Sequence, residues 1–169
     1  MQAGPIHEAL SPLKWMIGKW RSVSADGFYP TIQPFSFCEE ISFTSVGQPI
    51  LNYSSLSWHP VKQSPMHLES GFLRIKPGTN DVSFMVAHNF GLTTLEEGMT
   101  YIINSSVAGN VLQMKSTNIG RMSFGKEPRV LEIIRCYKLV EEGKLEHTLQ
   151  MATSNTPLCQ HLRVVYEKC

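Results

Sequence analysis

The closing stretch LCQHLRVVYEKC, Leu158 to Cys169, holds the side chain with the most chemistry in the chain, His161. A neutral imidazole on a rigid strand is a good metal ligand, and its second ring nitrogen can take a partner that fixes tautomer and orientation. Zinc usually takes three or four protein ligands, and no second ligand stands close to His161 in the sequence. Iron held in a porphyrin needs only one histidine, because the macrocycle supplies the other four nitrogens. The competing reading is plain: a single strand histidine is more often a surface or hydrogen-bonded residue.

Two further histidines are pocket candidates, His67 in PMHLES and His88 in MVAHNFG. His88 shares its parity with Val82, Phe84 and Val86, an apolar and inward-reading face. A histidine there must be hydrogen-bonded or line a polar pocket. His59, before Pro60, reads as a loop residue, and His7 and His147 as solvent-facing. The four cysteines, Cys38, Cys136, Cys159 and Cys169, have no C-x-x-C or zinc-finger spacing, and read as small hydrophobes kept reduced. Other chemistry is missing from the sequence. There is no G-x-S-x-G, no phosphate-binding glycine loop and no H-E-x-x-H. Glu39 and Glu40 are neighbours on opposite strand faces and form no acid/base pair.

The elements that must position these residues are strands. Phe35, Phe37, Ile41 and Phe43 share one parity; Val82, Phe84 and Val86 share another; Ile133, Tyr137 and Leu139 share a third. Turn signals recur at short intervals: SADG, SVGQP, KPGTND, AGN, EEGK and SNTP. Strands are expected at 18–24, 33–45, 50–59, 66–76, 81–88, 91–97, 99–107, 110–118, 129–141, 144–154 and 158–168, with 91–97 and 99–107 read as one strand bent near Gly98, which makes ten. Only ALSPLKWMIG, Ala9 to Gly18, reads as helical, with Ser11 as N-cap and Pro12 at the first helical position. The expected fold is all-β: one domain over 1–169, a roughly ten-stranded antiparallel up-and-down barrel of the lipocalin and fatty-acid-binding-protein kind with a short N-terminal helix. Closure removes exposed sheet edges, and ten strands leave room for a ligand.

Composition narrows the function classes. A chain of 169 residues suits one domain with a substantial core. A formal net charge of +1 and scattered Lys and Arg argue against nucleic acid as a partner. No run of about 18 apolar residues exists, so no membrane span is expected. The N-terminus does not read as a signal peptide, and the reduced cysteines suit a cytoplasmic or nuclear location.

The ordered series GKWRS, YPTIQPFSFCEEISF, GQPILNYSSLSWHP, PMHLESGFLRIKP, GRMSFGKEP and GKLEHTLQMATSNTP, leading into the His161 strand, resembles the nitrobindin family of haem-binding β-barrels. The likeness is to its animal branch, which includes the barrel domain ending THAP-type zinc-finger proteins, and it runs from about Leu13 to Lys168. Gly18-Lys19-Trp20 matches the start of the family's glycine–tryptophan signature, with Ser22 and Ser24 in place of its later glycines; Trp20 reads as a core residue. The resemblance implies a ferric haem b with His161 as proximal iron ligand through Nε2. It implies that Thr31, in YPTIQ, lies at the haem, where its hydroxyl could meet a propionate. His67 and His88 then become candidate haem-pocket residues, His88 standing where a glutamine is commoner in the family.

The implied partners are haem, nitric oxide and peroxynitrite, with a homodimer as a further expectation. The implied activity is isomerisation of peroxynitrite to nitrate, which protects against tyrosine nitration. Two other readings stay open: a barrel carrier of a fatty acid or other apolar ligand without iron, and an NO or haem sensor module. One conflict also stays open. Alternation turns Leu162, Val164 and Tyr166 inward and His161 outward, whereas the resemblance requires His161 inside and the Leu162 face covered by the helix or another subunit.

Overall fold

The computed structural model describes residues 5–103 and 109–169. Eleven strands are formed among them: β1 Gly18–Tyr29, β2 Ile32–Ser36, β3 Cys38–Ser45, β4 Ile50–Trp58, β5 Pro65–Ile75, β6 Asp81–His88, β7 Leu92–Ile103, β8 Gly109–Arg121, β9 Val130–Glu141, β10 Lys144–Thr153 and β11 Thr156–Lys168. Neighbours pair antiparallel in chain order from β3 to β11, and β11 closes on β1, Trp20 facing Lys168. β2 and β3 continue one another: β3 pairs with the first half of β1 and β2 with its second half, and the Phe37 N–H still donates to the Ala25 carbonyl across the break (3.0 Å). The sheet is therefore a closed ten-stranded barrel, as the alternation leads one to expect.

Strand β7 runs unbroken through Gly98, so 91–97 and 99–103 are one strand; positions 104–107 of the expected strand lie outside the described residues. Glycine is required at position 98 by close approach. A Cβ on Gly98 would run into the backbone carbonyl of Gln113 on β8, a contact no rotamer change relieves. The SADG signal is not a turn. β1 continues through it, and the chain reverses at Pro30-Thr31. Gly27 is instead a close-approach glycine, with the ring of its partner Phe35 where a Cβ would stand.

The helix is a 3₁₀ segment, Glu8–Met16, and begins earlier than expected. Its cap is His7, whose Nδ1 accepts from Ala9 N–H (3.2 Å), so Ser11 and Pro12 fall inside the segment. No described helix is long and apolar enough to cross a membrane. Leu10, Leu13 and Met16 are fully buried and join Trp20, Phe43, Leu51, Leu73, Phe84, Leu112 and Leu145 in one apolar cluster. Trp20 is in this core as expected, its indole N–H donating to the Met16 carbonyl (2.9 Å). The helix thus closes the barrel end where β1 begins. The His161 strand pairs with β1 seven residues further on, Leu162 facing Gly27, which places the histidine toward the other end.

Gly98→Ala should destabilise the barrel by about 1–3 kcal/mol, the usual range for overpacking without an escape route. Gly78→Ala, at a turn position with nothing near its Cβ but a positive φ of 77°, should cost less. Urea unfolding of the two variants, followed by tryptophan fluorescence, checks the order.

Candidate functional site

The conflict over His161 is resolved by a β-bulge. Strand β10 sets Leu149 opposite Leu162 and Gln150 opposite Gln160, leaving His161 as the extra residue on β11. A bulge suspends strict alternation and re-aims side chains. Leu162 packs on the core while His161, its neighbour, lines the same cavity. No second subunit is needed to cover the Leu162 face. The carboxamide of Gln160 ties the bulge by donating to the carbonyls of Leu149 (3.4 Å) and Leu162 (2.5 Å).

The His161 ring is held on its other side. Nδ1 lies 3.2 Å from the Phe28 carbonyl, which can only accept, so the proton sits on Nδ1 and Nε2 keeps its lone pair. Tyr29 packs edge-on at a centroid distance of 5.2 Å. Burial pushes the imidazole pKa down, opposed by the Phe28 carbonyl, and the net shift is downward, so the ring is neutral at pH 7. The cavity it faces is about 110 Å³. Phe35, Phe37, Met66, Leu149 and Leu162 form its apolar walls, and Glu39, Glu69, Arg135 and His147 its polar lining.

Within the lumen runs a belt of buried polar groups. Arg135, 1% exposed, comes from β9 and donates to Glu69 Oε2 on β5 (3.1 Å) and Glu96 Oε2 on β7 (3.1 Å). Tyr53 donates to Glu69 Oε2 (2.8 Å), and Thr94 to Glu96 Oε1 (2.8 Å). Burial alone would raise the Glu69 carboxyl; the Arg135 guanidinium and His88 outweigh it and hold it well below the usual range. Burial instead raises Glu39, to which the neutral donors Ser55 and Tyr166 hydrogen-bond (2.5 Å each).

The structure brings three of the four predicted site residues to this region. His67 lines the cavity with His161, and its Nε2 is 3.1 Å from His88 Nδ1. His88 is buried, 7% exposed, on the inward face that its parity indicates. Thr31 stands apart in the exposed β1–β2 turn and does not line the cavity. The expectation that His147 faces solvent is wrong. It is 4% exposed on the inward face of β10, stacked on Tyr137 at 4.4 Å, and neither ring nitrogen has a hydrogen-bond partner. Burial, helped by the Arg135 charge, depresses its pKa to about 3. The polar belt was missed although its signal was present: Glu39 shares parity with Phe37 and Ile41, Glu69 with His67 and Leu73, Glu96 with Leu92 and Thr94, and Arg135 with Ile133 and Tyr137.

His147 generates a pH prediction. A histidine buried neutral in the fold takes up a proton more readily once unfolded, where its pKa is near 6.5. The stability of the fold is therefore independent of this ring's titration above about pH 6.5 and declines as pH falls toward 3, with a slope approaching 1.4 kcal/mol per unit for one proton. Urea unfolding between pH 7 and 5 should show this loss, and His147→Phe, which keeps the stack on Tyr137, should flatten the slope by about one proton.

The comparisons with known proteins fit this architecture. Residues 9–168 match the family model described as a THAP4-like, heme-binding β-barrel domain. The peroxynitrite isomerase THAP4 of Homo sapiens is 46% identical over 164 residues, which is 96% of this chain and 27% of that protein. The chain thus spans about a quarter of the length of the mammalian relatives it matches. The peroxynitrite isomerase Rv2717c of Arabidopsis thaliana is 32% identical, with 99% of this chain and 93% of that protein covered. The crystal structure of Rv2717c from M. tuberculosis superposes with a TM-score of 0.87 at 29% identity, covering 97% of this chain and 99% of that one. The chain belongs to the family of THAP4-like, heme-binding β-barrel domains.

Proposed function

We propose that this chain holds a ferric b-type haem through His161 Nε2, binds nitric oxide there, and isomerises peroxynitrite to nitrate. The observation that carries the reading is the state of His161: a neutral ring, its Nδ1 committed to the Phe28 carbonyl, with Nε2 free in a cavity walled by Phe35, Phe37, Met66, Leu149 and Leu162. That donor set fits iron in a porphyrin, which asks for one imidazole and apolar surfaces for its ring. It does not fit a bare ion at His161, which would need more ligands. The names carried by relatives from Homo sapiens and Arabidopsis thaliana support the activity.

The chain's own residues hold, orient and shield. The Phe28 carbonyl fixes the tautomer, and Tyr29 and the bulge fix the ring's direction. When bound, ferric haem supplies a Lewis-acid centre with an open coordination position for nitric oxide or peroxynitrite. Burial keeps His67 neutral, its pKa lowered to about 4, so that it adds no positive charge to the cavity at pH 7. The Thr31 hydroxyl, at the exposed turn two residues after Tyr29, is the proposed donor to a haem carboxylate. The four free cysteines support a cytoplasmic or nuclear setting. An apolar carrier without iron fits less well. An acyl chain offers the cavity-facing Nε2 of His161 neither a proton nor a metal, and so gives the fixed tautomer no role.

Two outcomes are expected. His161→Ala should lose hemin retention, followed as transfer to apomyoglobin, while His59→Ala, in a loop outside the cavity, should leave it unchanged. A His161→Ala protein with the original absorption spectrum and retention would remove the assignment. In stopped-flow mixing, haem-loaded protein should accelerate peroxynitrite decay, shift its product toward nitrate and spare added tyrosine from nitration. The haem-free chain should do none of these, and cyanide should suppress all three. Equal decay with and without haem would leave a haem carrier.

A further inference from the structure

His67 and Glu69, which line the cavity, meet His88 in a second set of donors that does not include His161. His67 Nε2 lies 3.1 Å from His88 Nδ1, His88 Nδ1 lies 3.2 Å from Glu69 Oε1, and His67 Nε2 lies 3.8 Å from that same oxygen. Ligand atoms about 2.0–2.1 Å from a tetrahedral zinc ion stand roughly 3.3 Å apart. Two edges of this triangle fall close to that value, and the third needs a shift of a few tenths of an ångström. Among the described residues this is the one group of three or more His, Cys, Asp or Glu side chains whose ligand atoms converge in this way.

The proton positions allow an exchange. Without an ion, His88 Nδ1–H donates to Glu69 Oε1 (3.2 Å), which Arg135 Nη2 also reaches at 3.4 Å. Metal ligands bind deprotonated, so a cation at the centre of the triangle displaces that proton. The ring then carries its proton on Nε2, 3.5 Å from Thr94 Oγ1, which donates onward to Glu96 Oε1 (2.8 Å) and so has a lone pair to accept it. The outer contacts suit a cation: His88 Nε2 points to Thr94, and Glu69 Oε2 is held by Tyr53 (2.8 Å) and Arg135 (3.1 Å). Such partners orient metal ligands and raise their basicity. The charge balance suits one too, since the two buried carboxylates Glu69 and Glu96 face the single guanidinium of Arg135.

We propose that His67 Nε2, His88 Nδ1 and Glu69 Oε1 bind one divalent transition-metal ion of the zinc class, with its fourth position open to the cavity that His161 lines. Two histidines and one carboxylate are a donor set zinc accepts, and three protein ligands with one open position is the arrangement of zinc sites that take a water or small anion. Cobalt(II) occupies such sites and reports their geometry. The proposal does not depend on haem, because none of its three ligands is His161.

The test is a titration of the full haem-free chain at pH 7.5 with Zn²⁺ in competition with a chromogenic chelator, and with Co²⁺ followed in the visible. One equivalent should bind, and Co²⁺ should give the intense d–d bands of a four-coordinate ion. His67→Ala and His88→Gln should each weaken Zn²⁺ by about 100-fold or more, beyond the 10–100-fold that loss of an outer partner costs. His161→Ala should leave Zn²⁺ affinity within about twofold while abolishing hemin retention, which separates this site from the haem reading. His67 is about one-third exposed, so its truncation leaves the core intact and decides the matter even if the His88 variant does not fold. Zn²⁺ affinity unchanged in His67→Ala, affinity lost in His161→Ala, or no binding below about millimolar Zn²⁺ would each overturn the proposal; the last would mean that the triad holds only a proton.

Discussion

The Arg135 guanidinium is the hub on which this barrel's interior depends. It leaves β9, crosses the lumen and pairs with carboxylates on β7 and β5, the latter four strands away around the wall. Its plane also lies over the Phe84 ring, 5.4 Å from the centroid. Burying three charges is expensive, and a hydrophobic replacement of the whole set could be as stable. Removing one member is another matter, because it leaves the rest charged, buried and unpaired. The belt is therefore a constraint more than a source of stability. It fixes Glu69, Glu69 orients His88, and His88 meets His67 at the cavity. An apolar filling could pack the same space, but it would leave those histidines without a reason to sit where they do.

Period-2 alternation made most of the fold legible. It works here because nearly every strand has one face to the core, and the end-plug of Leu10, Leu13 and Met16 rewards the inward face with burial. The polar belt was as legible as the apolar core, since Glu39, Glu69, Glu96 and Arg135 stand at inward parities. It was overlooked because a charged residue on a strand is ordinarily solvated. The helix cap was not legible: Ser11-Pro12 is a good start signal, and only the three-dimensional position of His7 shows that an imidazole takes the cap instead.

What alternation could not show is where it is suspended. An inserted residue has no mark in a single sequence, yet the bulge at His161 puts two consecutive side chains, His161 and Leu162, against one cavity. The same end of the barrel carries further irregularities, the register shifts between Gly27 and Tyr29 on β1 and between Met151 and Thr153 on β10, and the Gly27 site where the Phe35 ring lies against bare backbone. These departures surround His161 at the mouth. Local rules are most often broken where a site has to be built. The cost of the bulge, a lost place in the ladder, is offset by the Gln160 carboxamide and by the bond from His161 to Phe28.

The barrel is thus divided along its axis into an end that stabilises and an end that binds, and His147 marks the border. Its ring stacks on Tyr137 as a core residue would, yet both nitrogens and the Tyr137 hydroxyl lack a protein partner. A buried polar atom without a partner costs about 1–3 kcal/mol. A chain selected for stability alone would place phenylalanine there. That an imidazole is kept, lining the cavity with His161 and His67, is the usual pattern in which a binding cavity retains polar groups at the expense of the core. A ligand that hydrogen-bonds His147 in the folded state would recover part of that cost and so stabilise the fold by mass action. Occupancy of the cavity and stability of the barrel are then linked quantities, and the link passes through the stack of His147 on Tyr137, which joins the cavity lining to the core packed on the helical plug.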